Sequence, residues 1–184
     1  LLSMCGGTLI QTIIQLFESL GYRVYIKLLN AADYGTPQIR ERVILVGTLL
    51  DNEFNYPLPT HYNPETGVIQ GLKPYVTLGE AIGDLGVLAN GGKTLVYSSE
   101  PQNDYQRLMR QNMQYVINHI AMRHTPRLIA RFEAIRPGQS LLDVWETHGS
   151  VKRGAPGEKS DVKFGQNNQR LFGNLPAPTI AASF

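Results

Sequence analysis

Residues 22–48 constrain the fold of this chain more than any other stretch. Two segments, residues 22–29 and 42–48, flank a connector at residues 30–37 that is rich in turn-forming residues. Apolar and polar side chains alternate in the first segment, and the second contains an uninterrupted Val-Ile-Leu-Val run. These patterns predict two consecutive β-strands, and the aliphatic run suits a buried position in a sheet.

An amphipathic helix is predicted before the first strand and is expected to end at Gly21. Its apolar residues recur at intervals of three and four: Leu9, Ile10, Ile13, Ile14, Phe17 and Leu20. One helix and two strands bury too little surface to fold alone, so residues 1–50 are expected to form an edge of a larger α/β sheet. The first residue is leucine, and we expect the chain to be part of a longer protein.

Prolines and glycines become frequent after Asp51, which predicts a boundary between two regions. The second region, residues 51–184, is expected to be a small, loop-rich α+β domain. Helices are predicted at residues 78–85, 104–113 and 127–135, with Leu108 and Met109 of the second helix facing inward. The first should begin with a capping box of Thr77 and Glu80, and the third with Thr125 and Pro126. Strands are predicted at residues 94–98 and 179–180.

Charge is distributed unevenly. Residues 1–99 carry six Lys/Arg against eight Asp/Glu, and residues 100–184 carry eleven against seven, so the second half is basic. A basic half can attract nucleic acid, although a moderate excess of charge is more often only solvated. The single cysteine excludes an internal disulfide and suggests a cytoplasmic protein. The sequence predicts neither a membrane span nor a signal peptide.

The pattern Gln38-x-Arg40-x-Arg42, preceded by Asn-Ala-Ala-Asp-Tyr-Gly-Thr-Pro, resembles a motif of DNA cytosine-C5 methyltransferases. Further similar segments follow along the chain: TLGEAIGDL at 77–85, EPQNDYQRLMR at 100–110, RPG at 136–138 and PAPTIAASF at 176–184. The resemblance implies that residues 1–50 form the C-terminal edge of a Rossmann-like methyltransferase sheet. Residues 51–184 would then form the target-recognition domain with its connecting segment.

The resemblance also implies an activity, the transfer of a methyl group from S-adenosylmethionine to a flipped cytosine in a specific sequence of double-stranded DNA. A prokaryotic restriction-modification or orphan enzyme is expected. The family's cofactor loop, Pro-Cys nucleophile and Glu-Asn-Val motif do not occur among the 184 residues. We therefore expect the isolated chain to be inactive, without binding of S-adenosylmethionine, and to act together with the remainder of the catalytic domain.

The resemblance assigns catalytic roles to Arg42, Arg40 and Gln38. In this family a thiolate attacks cytosine C6 and negative charge builds up on the ring and its O2, where a guanidinium can stabilise it. Arg42 is expected to contact O2, with Arg40 and Gln38 buttressing it or holding the phosphate beside the flipped nucleotide. Alternatively, the arginines lie at the exposed start of a strand and pair with Glu41 or Asp33.

Base recognition is expected in the second region, on a polar, glycine-rich segment. Its candidate DNA-binding side chains are basic residues and amides: Lys152, Arg153, Lys159, Lys163, Gln166, Asn167, Asn168 and Arg170. The same composition is equally typical of a solvated loop without a ligand.

Cys5 lies in Met-Cys-Gly-Gly and lacks the Pro-Cys-Gln context of the family's nucleophile, so it is interpreted as a packed thiol. The four histidines, His61, His119, His124 and His148, lack the short spacings of a zinc site, and no metal is expected. His119 is expected to make a hydrogen bond within the second region. Two further interpretations stay open: a non-catalytic DNA-recognition module or partner subunit, and an unrelated α/β domain.

Overall fold

A computed structural model describes residues 4–111, 113–149 and 168–180 of the chain. Its contacts divide the chain into two compact units, Leu1–Tyr75 and Val76–Phe184. Residues 51–75, which we grouped with the second region from their composition, contact the first unit in the structure. The assignment of residues 1–50 to a catalytic domain and of residues 51–184 to a target-recognition domain stays a prediction.

Helix α1, Thr8–Ser19, follows a short 3-10 turn at Met4–Gly7. Its apolar stripe includes the buried Ile10, and its end lies where the sequence predicts it. The amide of Gly21 donates to the carbonyl of Glu18 over 2.9 Å, and Gly21 has a φ of +86°. Residues with a side chain rarely adopt this left-handed conformation, so Gly21 lets the chain turn from the helix into the first strand.

Strands β1, Arg23–Asn30, and β2, Glu41–Thr48, form an antiparallel hairpin. Both predicted strands are confirmed, and the register runs from Arg23 opposite Thr48 to Asn30 opposite Glu41. Helix α1 packs on the face that carries Gly47, because a Cβ on that glycine would lie 3.3 Å from Phe17. On the other face the hydroxyl of Tyr56 lies 2.8 Å from the carbonyl oxygen of Ile44.

The apolar run in β2 is less buried than the sequence suggests. Ile44 is 40% exposed, and every residue of the two strands is either half-buried or exposed. The described residues form two two-stranded sheets, and the membership of β1 and β2 in a larger Rossmann-like sheet stays a prediction. The second sheet pairs β3, His61–Tyr62, in parallel with β4, Lys73–Pro74.

The second unit contains four described helices: α2, Leu78–Ile82; α3, Asp104–Arg110; α4, Pro126–Ala134; and α5, Trp145–His148. The predicted capping box of Thr77 and Glu80 is confirmed, since the carboxylate of Glu80 accepts from the Thr77 amide over 2.8 Å. The predicted cap of α4 is confirmed as well, with Thr125 accepting from the Leu128 amide. The capping residues alone were therefore sufficient to predict where these two helices begin.

Three predictions about the second unit are wrong. Leu108 and Met109 of α3 are 62% and 56% exposed, whereas Gln106 and Arg110 are buried, because polar partners from other segments face that side of the helix. Residues 94–98 form no strand, since the Thr94 hydroxyl accepts from the Val96 amide in a local turn. Residues 179–180 are not a strand either.

The described core of the second unit contains apolar side chains beside the buried polar Gln106 and Asp84, which are 2% and 3% exposed. Its most buried side chain is Ile135, which is 1% exposed, and Leu141 and Trp145 are 4% and 5% exposed. Of the helices in the described ranges, none has the length and apolar character needed to cross a bilayer.

Candidate functional site

The Gln-x-Arg-x-Arg segment begins in the loop that joins the two strands of the hairpin and ends in β2. This loop, residues 31–40, is here called the motif loop. Asn30 closes its base, because the side-chain oxygen Oδ1 accepts from the amides of Ala32 (3.3 Å) and Arg40 (3.0 Å). The amide of Ala31 also donates to the carbonyl of Arg40 over 3.0 Å. Two of these hydrogen bonds tie the start of the loop to Arg40, the residue that precedes β2, and the third stabilises the first turn of the loop.

The first part of the motif loop is a 3-10 turn, Ala31–Tyr34. Ala32 is fully buried in it, and the turn ends at Gly35, which has a φ of +85°. A Cβ on Gly35 would lie 2.7 Å from Cε1 of His61, a distance that non-bonded carbon atoms do not tolerate. The left-handed backbone conformation therefore favours glycine here, and a Cβ at this position would also have to displace the His61 ring.

Asp33 links the motif loop to the segment that contains β3 and β4. The hydroxyl of Tyr75 donates to the carboxylate of Asp33, and the amide of Thr60 donates to the Asp33 carbonyl over 2.8 Å. Tyr75 is 9% exposed. Burial, the hydrogen bond to Asp33 and the negative charge of that carboxylate raise the pKa of Tyr75 to about 12. The phenol therefore stays a donor at neutral pH.

The three predicted catalytic residues lie at the end of this loop and at the start of β2. Gln38 and Arg40 are half-buried, and Arg42 is exposed. Nη1 of Arg42 donates to the carbonyl of Glu41 over 2.6 Å. Within the described ranges, neither arginine forms an ion pair with Asp33 or Glu41. The structure thus brings the three residues onto one short segment, and their roles stay predictions.

The chemistry available at this segment follows from the guanidinium of Arg42. Arginine stays protonated at any physiological pH and presents several N–H donors in a plane. The one hydrogen bond described for this side chain uses a single donor. The remaining donors can meet a carbonyl oxygen or an anion of a ligand that approaches the exposed end of β2.

The second unit contains a buried ion pair that the sequence analysis missed. Nε and Nη2 of Arg110 lie 2.8 Å and 2.7 Å from Oδ2 of Asp84, and the two side chains are 10% and 4% exposed. The guanidinium also lies 3.6 Å from the ring centroid of Tyr97. The only sequence signal was the four-residue spacing of Gln106 and Arg110, which places both on one face of α3.

Other arginines of the basic half also have partners within the second unit. Arg107 pairs with Asp104 over 2.9 Å. Arg127 donates to the Gly149 carbonyl and Arg131 to that of His148, over 3.0 Å and 2.8 Å. Burial and the nearby charge of Arg127 lower the pKa of Arg131 from its ordinary value. These contacts satisfy carbonyl groups at and just beyond the C-terminus of α5.

Most predicted DNA-binding residues, namely Lys152, Arg153, Lys159, Lys163, Gln166 and Asn167, lie outside the described residues. Asn168 is exposed and has a φ of +54°. Arg170 is exposed, its side chain donates to the Phe132 carbonyl, and its amide donates to the Gln139 carbonyl over 2.9 Å. Arg170 is therefore attached to the end of α4 and the turn after it, and its contact with DNA stays a prediction.

The histidines of the described residues have separate surroundings. Nε2 of His119 lies 2.7 Å from the Gly86 carbonyl oxygen, which confirms the predicted hydrogen bond. The ring of His124 packs edge-on against Phe132. Burial and the nearby Lys73 lower the pKa of His61. Within the described ranges, no three His, Cys, Asp or Glu side chains are grouped so that they could hold a metal ion.

An open groove of about 970 Å³ lies in the second unit, beside the buried ion pair. Residues from the 96–101 segment and from the C-terminal half of α3 line it, including Tyr97, Glu100, Arg107, Arg110 and Gln111. The groove is polar on the whole, but two of its arginines already have carboxylate partners.

Comparison with known proteins identifies the class of protein to which this arrangement belongs. The family model described as C-5 cytosine-specific DNA methylase matches residues 1–170. The chain therefore belongs to the C-5 cytosine-specific DNA methylase family. The family resemblance noted in the sequence is thereby confirmed.

Several curated relatives are named type II methyltransferases. M.DdeI of Desulfomicrobium norvegicum is 44% identical over 170 residues, which cover 91% of this chain and 40% of the relative. M.BspRI of Lysinibacillus sphaericus is 55% identical over 87 residues, covering 46% of this chain and 19% of the relative. M.BsuRI of Bacillus subtilis is 46% identical over 105 residues, covering 54% and 23%. The chain thus spans less than half the length of these relatives.

Proposed function

We propose that this chain is part of a DNA cytosine-C5 methyltransferase that methylates a flipped cytosine within a specific sequence of double-stranded DNA. The family membership supports the reaction class. The names and bacterial sources of the relatives support a prokaryotic restriction-modification role, and we place the enzyme in the cytoplasm, where the DNA of a prokaryote lies. The observation that carries the proposal is the exposed Arg42 at the start of β2, next to a loop whose base is closed by hydrogen bonds.

Arg42 stabilises the charge that develops on the target base. When a nucleophile adds to cytosine C6, electron density moves toward O2, and a guanidinium in hydrogen-bond contact with O2 lowers the energy of that state more than that of the substrate. The half-buried Arg40 and Gln38 hold the segment and the phosphate beside the flipped nucleotide. S-adenosylmethionine supplies the methyl group and is held by the remainder of the catalytic domain.

The segment between Gly149 and Arg170 contacts DNA and reads the target sequence. Both described borders of this segment are attached to the second unit. The buried Gly149 donates its amide to the Trp145 carbonyl over 2.9 Å. At the other border, the Arg170 carbonyl accepts from the Gly138 amide over 2.7 Å. The lysines of the segment would neutralise phosphates, and its side-chain amides would meet base edges.

The role of Arg42 is tested in the complete methyltransferase that carries this chain. We expect Arg42→Ala to raise the activation free energy of methyl transfer by about 2 to 4 kcal/mol, because one donor to a developing charge is lost. The single-turnover rate should therefore fall roughly 30- to 1000-fold. Affinity for the DNA duplex should change little. Arg42→Lys should restore only a small part of the rate, since the ammonium lacks the planar fork.

Arg23→Ala is the matched control for this experiment. Arg23 lies on the same face of the hairpin, at its opposite end, and its guanidinium lies 3.7 Å from Asp51 at the protein surface. The Arg23→Ala enzyme should transfer methyl groups at the wild-type rate. A wild-type single-turnover rate in Arg42→Ala would refute the catalytic role.

A further inference from the structure

Tyr75 lies more than thirty residues after the Gln-x-Arg-x-Arg segment, but its hydroxyl donates to Asp33 inside the motif loop. Tyr75 follows β4 directly, and its amide donates to the Tyr62 carbonyl over 3.0 Å. The phenol is therefore fixed at both ends, by the small β3–β4 sheet and by the loop. Its side chain is largely buried, so the bond to Asp33 is shielded from water.

The motif loop is held at two places. At its base, Asn30 accepts the amide of Arg40. At its 3-10 turn, the 60–75 segment holds Asp33 through the Tyr75 hydroxyl and the Thr60 amide. A ten-residue connection without such ties would sample many conformations, each of which would aim the arginines differently. The two ties together restrict the direction in which the chain enters β2.

We propose that Tyr75 is a positioning residue for Arg42, and that it acts by holding Asp33 and with it the motif loop that leads into β2. This inference rests on the proposed function of Arg42. Catalytic groups must be held within a fraction of an ångström, and a misplacement of about 1 Å can lower a rate by roughly a hundredfold. Tyr75 touches neither base nor cofactor in this scheme.

The test is the Tyr75→Phe variant of the complete methyltransferase, which removes the hydroxyl and keeps the ring. We expect its single-turnover rate to fall between about tenfold and a hundredfold, with an unchanged dissociation constant for duplex DNA. Tyr56→Phe is the matched control. The Tyr56 hydroxyl also bonds to the first unit, 2.8 Å from the Ile44 carbonyl oxygen, but it bonds to a strand and not to the motif loop. Its rate should equal that of the wild type.

Asp33 supplies a second, independent variant pair. Asp33→Asn keeps an oxygen that can accept from the Tyr75 hydroxyl, so this enzyme should keep most of the wild-type rate. Asp33→Leu removes the acceptor and should be as slow as Tyr75→Phe. The combination of Asp33→Leu with Tyr75→Phe should be no slower than either variant alone, because both remove the same bond.

A positioning role is separated from a structural one by adding Tyr75→Phe to the Arg42→Ala enzyme. If Tyr75 acts through Arg42, the second substitution should have less than a twofold effect there. An equal loss of rate in both backgrounds would overturn the inference, as would a wild-type rate in Tyr75→Phe. If Tyr75→Phe has the wild-type rate but Arg42→Ala is slow, only the role of Tyr75 is refuted and the proposed function stands. If Arg42→Ala also has the wild-type rate, the proposed function itself is refuted.

Discussion

Replacement of Arg110 by alanine should destabilise the second unit strongly, and the structure gives the magnitude. The substitution leaves the Asp84 carboxylate, which is 4% exposed, without its cation. Breaking a buried ion pair in this way costs about 3 to 5 kcal/mol, and the lost contact with the Tyr97 ring adds about 0.5 to 2 kcal/mol. The expected loss is a large part of the roughly 5 to 15 kcal/mol that stabilises a typical domain.

The assay is urea unfolding of the chain, followed by the fluorescence of Trp145. This residue is the only tryptophan of the chain and is 5% exposed within the second unit. Arg107→Ala is the control, because Arg107 lies one turn earlier on the same helix and pairs with Asp104 over 2.9 Å at the surface, with side chains 58% and 78% exposed. Solvent screens that pair, so its loss should cost less than about 1 kcal/mol.

Asp84→Ala and the double variant complete a thermodynamic cycle. Each single substitution leaves a buried charge alone, whereas the double substitution leaves none, so the double variant should be several kcal/mol more stable than the sum of the single losses predicts. The reasoning fails if Arg110→Ala is no less stable than Arg107→Ala. It also fails if the losses of the two single variants simply add.

Two further predictions concern ligands. The isolated chain should give no stoichiometric heat signal with S-adenosylmethionine in titration calorimetry, because we assign the cofactor to the remainder of the catalytic domain; a micromolar isotherm would contradict this. In the complete enzyme, joint neutralisation of Lys152, Lys159 and Lys163 should weaken binding to cognate and to random duplexes by similar factors. If each lysine meets one phosphate, the negative slope of log affinity against log salt should also become less steep by about 2.7. Replacement of Gln166, Asn167 or Asn168 should instead change the ratio of the two affinities, and an unchanged salt slope in the triple-lysine variant would show a solvated loop.

The elements that the sequence predicted well are those with local signals. The stripe of α1, the capping box of Thr77 and Glu80, and the Thr125 cap each depend on residues within about one helical turn. The two strands of the hairpin also follow from short-range alternation and aliphatic content. Such signals need no knowledge of what packs against the segment.

The orientation of α3 could not be predicted in this way. The apolar Leu108 and Met109 suggest an inward face, but the buried side is the one that carries Gln106 and Arg110. Asp84 lies 26 residues before Arg110, and the carbonyl of Glu80 lies 26 residues before the amide of Gln106 that donates to it. Polar partners distant in sequence determine which side of α3 is buried, and no local sequence pattern indicates these partners.

The candidate site shows the same division. The position of Gln38, Arg40 and Arg42 was available from the family motif, and the turn residues before them indicated a loop. The side chains that hold this loop were not available, because Asn30 acts through backbone amides and Tyr75 through a contact 42 residues away in sequence. A motif identifies the groups that carry the chemistry more readily than the groups that hold them in place.

The fate of the arginines in the second unit bears on how the chain would bind DNA. A net positive charge in residues 100–184 suggests attraction to phosphates, yet Arg110, Arg127, Arg131 and Arg170 each donate to a carboxylate or a carbonyl of the protein itself. A guanidinium with such a partner cannot move freely toward a phosphate without breaking that bond. The net charge therefore overstates the number of mobile cations, and these four arginines should contribute less to the salt dependence of binding than their charge alone suggests.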